Sequence, residues 1–382
     1  MLNTELLFNK IEELRQEYLD FLIEVVSTES PTNNKEQVDK VGKLFIDKAT
    51  KKGLDVEIFS QSVSGDVVKI TLNKGNEKPF CISGHLDTVH AVGAFGETVK
   101  ILENKIIAPG IADCKGGCVC GLWALDALKQ CGYSGRPIML LLQTDEETGS
   151  KGSNRETINY ICENSKDAVG FLNLEPCSKF TAVTLERKGI TRFAFNIKGK
   201  PAHASVCWSG ANAILEASHK IIEIEKIKDK NGITCNCGVI KGGTVLNTVP
   251  DHCTFSVDVR FFTVEEYEEI TLFMENLAQT NFVEGTVTVL EKGSWRPAMP
   301  RTKTNEEFLA KINKILQDSG LETLDGVHTF GGSDASYITE MGVPVVDSIG
   351  ILGAGAHSLS EYAKLDTLTT APKRIAAIIN GL

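Results

Sequence analysis

Five short segments carry the residue types that do chemistry, each with an acidic residue or a histidine beside glycine or just past an apolar run. They are Ser83-Gly84-His85-Leu86-Asp87, Ala108-Pro109-Gly110-Ile111-Ala112-Asp113, Thr144-Asp145-Glu146-Glu147-Thr148-Gly149, Asn173-Leu174-Glu175-Pro176 and Gly355-Ala356-His357-Ser358. His85 and Asp87 are spaced so that both face one way on a strand. Asp87 could then hold the imidazole tautomer while the other ring nitrogen binds a metal. Glu146 and Glu147 are adjacent like charges, which in a cleft repel and raise one pKa unless a cation neutralises one of them. A metal gives both a use: one carboxylate ligates, and its neighbour stays available as general base for an attacking water. The plainer alternatives are a surface histidine with a nearby charge and a solvated loop after a strand. What favours a metal site is the presence of all five segments together.

Such loops converge only if strands deliver them. Residues 67–72 and 79–83 read as strands, 116–131 as a helix and 137–143 as a further strand. This alternation predicts an α/β domain with a mostly parallel sheet. In an open α/β sheet the loops at the carboxyl ends of the strands form the binding crevice. Strand 79–83 would deliver His85, 137–143 Glu146 and Glu147, and 170–174 Glu175. An N-terminal helix and a turn-rich stretch, Glu29 to Asn34, precede them.

From about residue 186 the pattern changes. A strand at 189–199 sets Phe193, Phe195 and Ile197 on one face. A helix at 211–227 is expected to bury Ile214, Leu215, Ile221, Ile222 and Ile224. Strands at 234–241 and 253–261, a helix at 264–279 and a strand at 285–290 complete a βαββαβ order, the ferredoxin-like split unit. The expected organisation is a metal-binding domain in two pieces, 1–185 and 298–382, around a smaller inserted domain at 186–297.

Composition excludes several classes. The chain has 382 residues, 42% apolar and 24% charged, which fits an ordinary globular protein of about two domains and not a disordered, collagen-like or coiled-coil one. Its net charge of −10 lacks the electrostatic footprint of a nucleic-acid binder or of a protein held on an anionic membrane. No stretch approaches the roughly 20 apolar residues of a membrane span, and the charged N-terminal helix is unlike a secretory signal. Eleven cysteines, an odd number, suggest reduced thiols and a cytoplasmic protein. Cys235 with Cys237, and Cys118 with Cys120, lack the second pair a structural zinc site needs and read as small packed residues.

The sequence resembles the co-catalytic zinc exopeptidase and deacylase family that includes glutamate carboxypeptidase, acetylornithine deacetylase, succinyl-diaminopimelate desuccinylase, aminoacylase and peptidase T. The matching segments are Gly-His-Leu-Asp-Thr-Val (84–89), Gly-Ile-Ala-Asp-Cys-Lys-Gly-Gly (110–117), Thr-Asp-Glu-Glu-Thr-Gly-Ser (144–150), Leu-Glu-Pro (174–176) and Gly-Ala-His-Ser (355–358). Gly-Lys-Pro-Ala-His-Ala-Ser (199–205), Gly-Gly-Thr-Val-Leu-Asn-Thr-Val-Pro (242–250) and Val-Asp-Val-Arg (257–260) match within the inserted domain. The resemblance spans the chain, and its motif content is nearest to glutamate carboxypeptidase.

The resemblance implies two divalent metal ions, Zn above all, with Co or Mn as options. His85, Asp113 and Glu175 would hold one, and Asp113, Glu147 and His357 the other, with Asp113 shared. Glu146 would be the general base and Asp87 the partner of His85. His203 would reach the oxyanion from the inserted domain, the lid and dimerisation domain of a homodimer. Asn247, Arg260, Arg296, Gly332 and Ser333 would line the substrate site, the arginines pairing with a substrate carboxylate. Cys114 departs from the Asp, Asn or Met that relatives often carry after the shared aspartate. The implied reaction is hydrolysis of an amide beside a free carboxylate in a small peptide, as a carboxypeptidase or dipeptidase. An N-acyl-amino-acid deacylase is the alternative, and a non-catalytic scaffold would be expected to have lost part of the ligand set.

Overall fold

A computed structural model describes residues 2–177 and 179–382. The chain divides into two compact units. The first comprises the residues up to Leu185 with Arg301–His328 and Ser333–Leu382, and the second comprises Glu186–Pro300 with Thr329–Gly332.

The first unit is built on a six-stranded sheet in the order Asp55–Phe59, Val67–Leu72, Ile138–Gln143, Phe80–His85, Phe171–Asn173, Val345–Val346. The last four strands run parallel and the first two pair antiparallel. Strand Phe80–His85 is buried along its whole length and Ile138–Gln143 at all but one position. This is why both read as continuous apolar runs and not as alternating ones. Helix Gly116–Gln130 packs beneath them and is buried on nearly every side. It approaches the segment before Glu175 so closely that a Cβ on Gly117 would sit 2.1 Å from the Leu174 carbonyl oxygen. Only glycine permits that approach.

Two differences from the sequence expectation lie at the N-terminus. The apolar run forms two helices, Thr4–Glu13 and Arg15–Ser27, joined at Leu14, and a third helix, Lys35–Lys51, follows the turn. Asn34 caps that helix by accepting the Gln37 N–H, an N-cap role for which asparagine is suited. Tyr18 of the second helix stacks on Trp123 with ring centroids 5.3 Å apart, which fastens the N-terminal layer to the central helix. A small second sheet orders Gly353–Ala354, Tyr362–Lys364, Lys105–Ile107 and Lys100–Leu102. It brings the chain before Asp113 beside the chain around His357.

The second unit has the expected βαββαβ order. Its four antiparallel strands lie in the order Thr234–Gly242, His252–Phe261, Gly189–Lys198, Val287–Arg296. Phe193, Phe195, Ile197, Phe255, Val257 and Val259 form its core. Strand Val287–Arg296 runs well past the expected end at residue 290, because a register shift between Lys292 and Trp295 lets pairing resume.

Helix Ala213–Ile224 overturns an expectation. Leu215 and Ile222 are exposed, at 47% and 57%, while Glu216 and Lys220 are fully buried. These two charges pair at 3.0 Å. Glu216 accepts the N–H groups of Phe282 and Val283, and Lys220 donates to the carbonyls of Leu277 and Thr280. A buried ion pair is tolerated when its remaining hydrogen-bonding capacity is met in this way. Ile224 is buried and Ile214 and Ile221 pack against the core as expected, so the correction concerns Leu215 and Ile222 alone. Among the described residues no helix is long and apolar enough to cross a membrane.

Candidate metal centre

His85 ends its strand with the ring buried. Its Nε2 lies 2.9 Å from Asp113 Oδ1 and 3.6 Å from Glu175 Oε1. The other oxygen of Asp113, Oδ2, lies 3.3 Å from His357 Nε2, and that same nitrogen is 3.0 Å from Glu147 Oε2. The two oxygens of Asp113 are thus divided between two histidines. Each histidine also faces a second carboxylate.

Separate elements supply these groups. Glu175 follows the short strand Phe171–Asn173, and Glu146 and Glu147 lie in a single helical turn, Glu146–Thr148, after Ile138–Gln143. Asp113 sits in the irregular turn Ile111–Lys115, and the Asp113–Cys114 peptide is cis. His357 is held at φ 63°, a left-handed conformation uncommon outside glycine and of the kind that clusters at functional sites.

Burial, hydrogen bonding and charge together perturb the titration of the cluster. Burial alone would lower the His85 pKa, but hydrogen bonds to Asp113 and Asp87 and the charge of Glu175 raise it well above the usual histidine value. Hydrogen bonds to Asp113 and Glu147 lift His357 to about 10. Burial would raise Asp113, yet hydrogen bonds from His357 and His85 outweigh it and hold that carboxyl well below the usual range. Burial pushes Glu147 up to about 7, opposed by the His357 hydrogen bond and helped by the charges of Asp113 and Glu146. Carboxylates gathered this closely call for positive charge between them.

Divalent ions fit this demand. The donors are nitrogen and oxygen only, the set preferred by Zn, Co or Mn over soft-metal or cluster chemistry. Two donors on a tetrahedral ion with bonds of about 2.0–2.1 Å lie about 3.3 Å apart, and the observed separations run from 2.9 to 3.6 Å. Ligand atoms of His85, Asp113 and Glu147 all lie within 4.8 Å of one another. The Cys114 sulfur is equally near ligand atoms of His85 and Glu175. Its thiol is engaged behind the site, accepting the His85 N–H at 3.3 Å and donating to the Leu174 carbonyl.

Asp87 does more than the sequence indicated. The nearer partner of His85 Nδ1 is the backbone carbonyl of Asp87 at 3.0 Å, and the carboxylate stands at 3.4 Å. Donation from Nδ1–H fixes the tautomer and leaves the Nε2 lone pair for a metal. The Asp87 carboxylate meanwhile accepts the N–H groups of Glu146 and Glu147, each at 3.2 Å, and the Thr32 hydroxyl at 2.8 Å. It therefore anchors the turn carrying both glutamates. Lys115, fully buried, donates to the Thr28 carbonyl at 2.8 Å, tying the end of the second helix to the Asp113 turn. No spacing rule links Thr32 to Asp87 or Thr28 to Lys115, so neither contact was readable from the chain.

In the second unit, His203 caps the turn Ala204–Ser209. Its Nδ1 accepts the Ser205 N–H at 3.2 Å, which places the ring proton on Nε2 as a donor. A β-bridge between His203 and Thr248 sets it alongside the segment carrying Asn247. Arg260 is paired with Asp258 on its own strand, at 2.6 Å from Nε, so its guanidinium is already engaged. Arg296 is buried at the end of its strand, and a Cβ on Gly332 would lie 3.1 Å from its Cδ. Ser333 belongs to the first unit, where its buried hydroxyl donates to Asp347 at 2.7 Å and acts as a strut of the loop.

A histidine–carboxylate cradle at the strand ends of this α/β fold has the donor set of a metallohydrolase centre. The chain belongs to Peptidase family M20/M25/M40, which it matches over residues 81–381, and it hydrolyses amide bonds. It is 29% identical to carboxypeptidase G2 of Pseudomonas sp. (strain RS-16) over 97% of this chain and 89% of that one. It is 24% identical to succinyl-diaminopimelate desuccinylase of Rickettsia massiliae, over 92% and 96% of the two chains. The fold is that of aminopeptidase PepT from Bacillus cereus, with a TM-score of 0.78 at 23% identity over 100% and 99% of the chains. It is also that of the Bacillus subtilis YXEP protein, a dinuclear metal binding peptidase of the M20 family, with a TM-score of 0.73 at 15% identity over 97% and 98%.

Proposed function

We propose that the chain is a di-metal carboxypeptidase or dipeptidase that releases an amino acid with a free carboxylate, glutamate carboxypeptidase-like in its preference. The observation that carries this reading is the division of the two Asp113 oxygens between His85 and His357, at 2.9 and 3.3 Å. The relative named carboxypeptidase G2 supports the peptide-bond reading. The desuccinylase relatives favour the second reading, an N-acyl-amino-acid deacylase, which cleaves the same kind of bond beside the same kind of carboxylate.

In this reading His85 and Glu175 hold one ion, Glu147 and His357 the other, and Asp113 both. Zn is the metal the donor set suits best, with Co or Mn also compatible. Bound there, two such ions would supply Lewis acidity towards a carbonyl oxygen and a water. Glu146 accepts that water's proton and returns it to the leaving amine. His203 donates from Nε2 to the developing oxyanion, and Asn247, Arg260, Arg296 and the Gly332–Ser333 loop contribute to the substrate site. With its side chain paired to Asp258, Arg260 must exchange partners to do so.

The inserted domain is the proposed homodimer contact. Its edge strand Thr234–Gly242 exposes Val239 and Ile240, and its helix exposes Leu215 and Ile222. If His203 serves the neighbouring subunit, a mixture of His203→Ala and Glu146→Gln proteins should regain roughly a quarter of normal activity. Half of randomly mixed dimers are hybrids carrying one complete site. Confirmed hybrids without activity would argue against the cross-subunit role. The eleven cysteines are all unpaired, which suits the reducing environment of a cytoplasmic enzyme.

The deciding experiment is a hydrolysis screen of folyl-glutamates, dipeptides and N-acyl amino acids, with Zn or Co supplied and a chelated control. Preference for peptides with a C-terminal acidic residue is expected. Turnover confined to N-acyl substrates would replace this reading with the deacylase one, and turnover that survives prolonged chelation would remove the metal from it.

A further inference from the structure

We propose that Glu361 is a positioning residue of the metal centre: its carboxylate clamps the Asp113 turn to the loop that carries His357. The proposal rests on the two-ion reading above and concerns a residue outside its ligand set. Glu361 lies four positions after His357, next to strand Tyr362–Lys364, and its side chain is buried. Its Oε1 accepts the N–H groups of Ala112 at 2.8 Å and Asp113 at 2.9 Å, and its Oε2 accepts that of Gly110 at 3.0 Å. His90 Nε2 stands 3.3 Å from Oε2, and the Ala108 N–H donates to the Glu361 backbone carbonyl.

One carboxylate thus gathers three main-chain donors from the turn that presents the shared ligand. A buried carboxylate stripped of those donors would be left desolvated and uncompensated, so its geometry is tightly imposed. The consequence follows from connectivity. Asp113 must offer one oxygen to His85 and the other to His357, while Asp113 and His357 sit on loops 244 residues apart in sequence. Glu361 belongs to the second loop and holds the backbone of the first. The spacing of the two ligand sets is therefore set through this side chain, and not through Asp113 alone.

The test compares ion binding with fold. Chelator-stripped wild-type and Glu361→Gln proteins are dialysed against graded free Co(II), bound ions are counted, and the cobalt absorption spectrum and the metal-free melting temperature are recorded. Glutamine keeps the shape but turns an NH2 towards main-chain donors. The expected result is binding weakened by ~10–100-fold, the range typical of groups that orient ligands, with an altered cobalt spectrum. In the loaded enzyme kcat should fall with KM little changed. Unaltered ion binding and spectrum overturn the proposal, as does a lowered metal-free melting temperature with an unaltered binding curve. If Glu361→Gln does not fold, Glu361→Asp decides: its shorter stem cannot reach all three donors, so wild-type binding of two ions overturns the role and weakened binding supports it. A wild-type protein that binds fewer than two ions overturns the two-ion reading itself, and this role with it.

Discussion

Glu146→Gln is expected to lower kcat by ~10²–10⁴-fold, the usual share of a positioned general base, while the protein still binds two ions and melts normally. At 1.36 kcal/mol per decade this is a loss of about 2.7–5.4 kcal/mol of transition-state stabilisation. The separation of effects follows from the geometry. The main-chain N–H of Glu146 secures the turn to Asp87, and the substitution leaves that bond in place. The contacts around His85 and His357 come from Asp113, Glu147 and Glu175. Glutamine has the size of glutamate but no basic oxygen, so proton transfer is removed while the turn stays anchored to Asp87. Metal content, melting temperature and steady-state kinetics measured on one preparation check this. Near-normal turnover would dismiss Glu146 as the base, and a loss of bound metal would make it a ligand instead.

Asp113→Ala should have the broadest effect of any single change at the site. Every other proposed ligand belongs to one ion, whereas Asp113 faces both histidines. Its loss removes one donor from each ion and the negative charge lying between them. Bound metal should fall from two ions to fewer than one at micromolar free Zn. Lewis-acid assistance is worth several kcal/mol, so kcat/KM should drop by at least ~10³-fold. Comparison with Glu175→Ala gives the contrast, since that change touches only the His85 side and should leave one ion bound. Equal ion losses in the two variants would mean that Asp113 is not shared.

Two adjacent glutamates imply a ligand beside a general base, whereas the choice of Glu146 as the base and of Asp113 as the shared ligand comes from the resemblance carried over whole segments. The structure then gathers His85, Asp113, Glu147, Glu175 and His357 within a few ångströms. Sequence reading works for such residues because each stands at the end of an apolar strand or in a glycine-flanked turn, and those features are local. The parallel core strands and the βαββαβ order of the second unit are legible for a related reason: periodicity and turn residues act over a few positions.

What escaped depends on partners far along the chain. Periodicity assigned Leu215 and Ile222 to a core because it counts apolar residues. It cannot foresee that Glu216 and Lys220 satisfy each other and the loop at 280–283, and so occupy the inward face. Asp87 was readable as a partner for a histidine two residues away, but not as the anchor for main-chain groups 59 and 60 residues on. Arg260 reads equally as a partner for a substrate carboxylate or as one half of a surface ion pair, and only the fold shows Asp258 beside it. Ser333 reads as part of a loop along the cleft, and only the fold shows its hydroxyl turned to Asp347. The sequence by itself determined which side chains are chemically equipped and which strands carry them, since covalent neighbours and local propensity suffice for that. Only the tertiary structure decided which of their hydrogen-bonding groups are already engaged, because a donor buried in packing must find its partner wherever the fold places one.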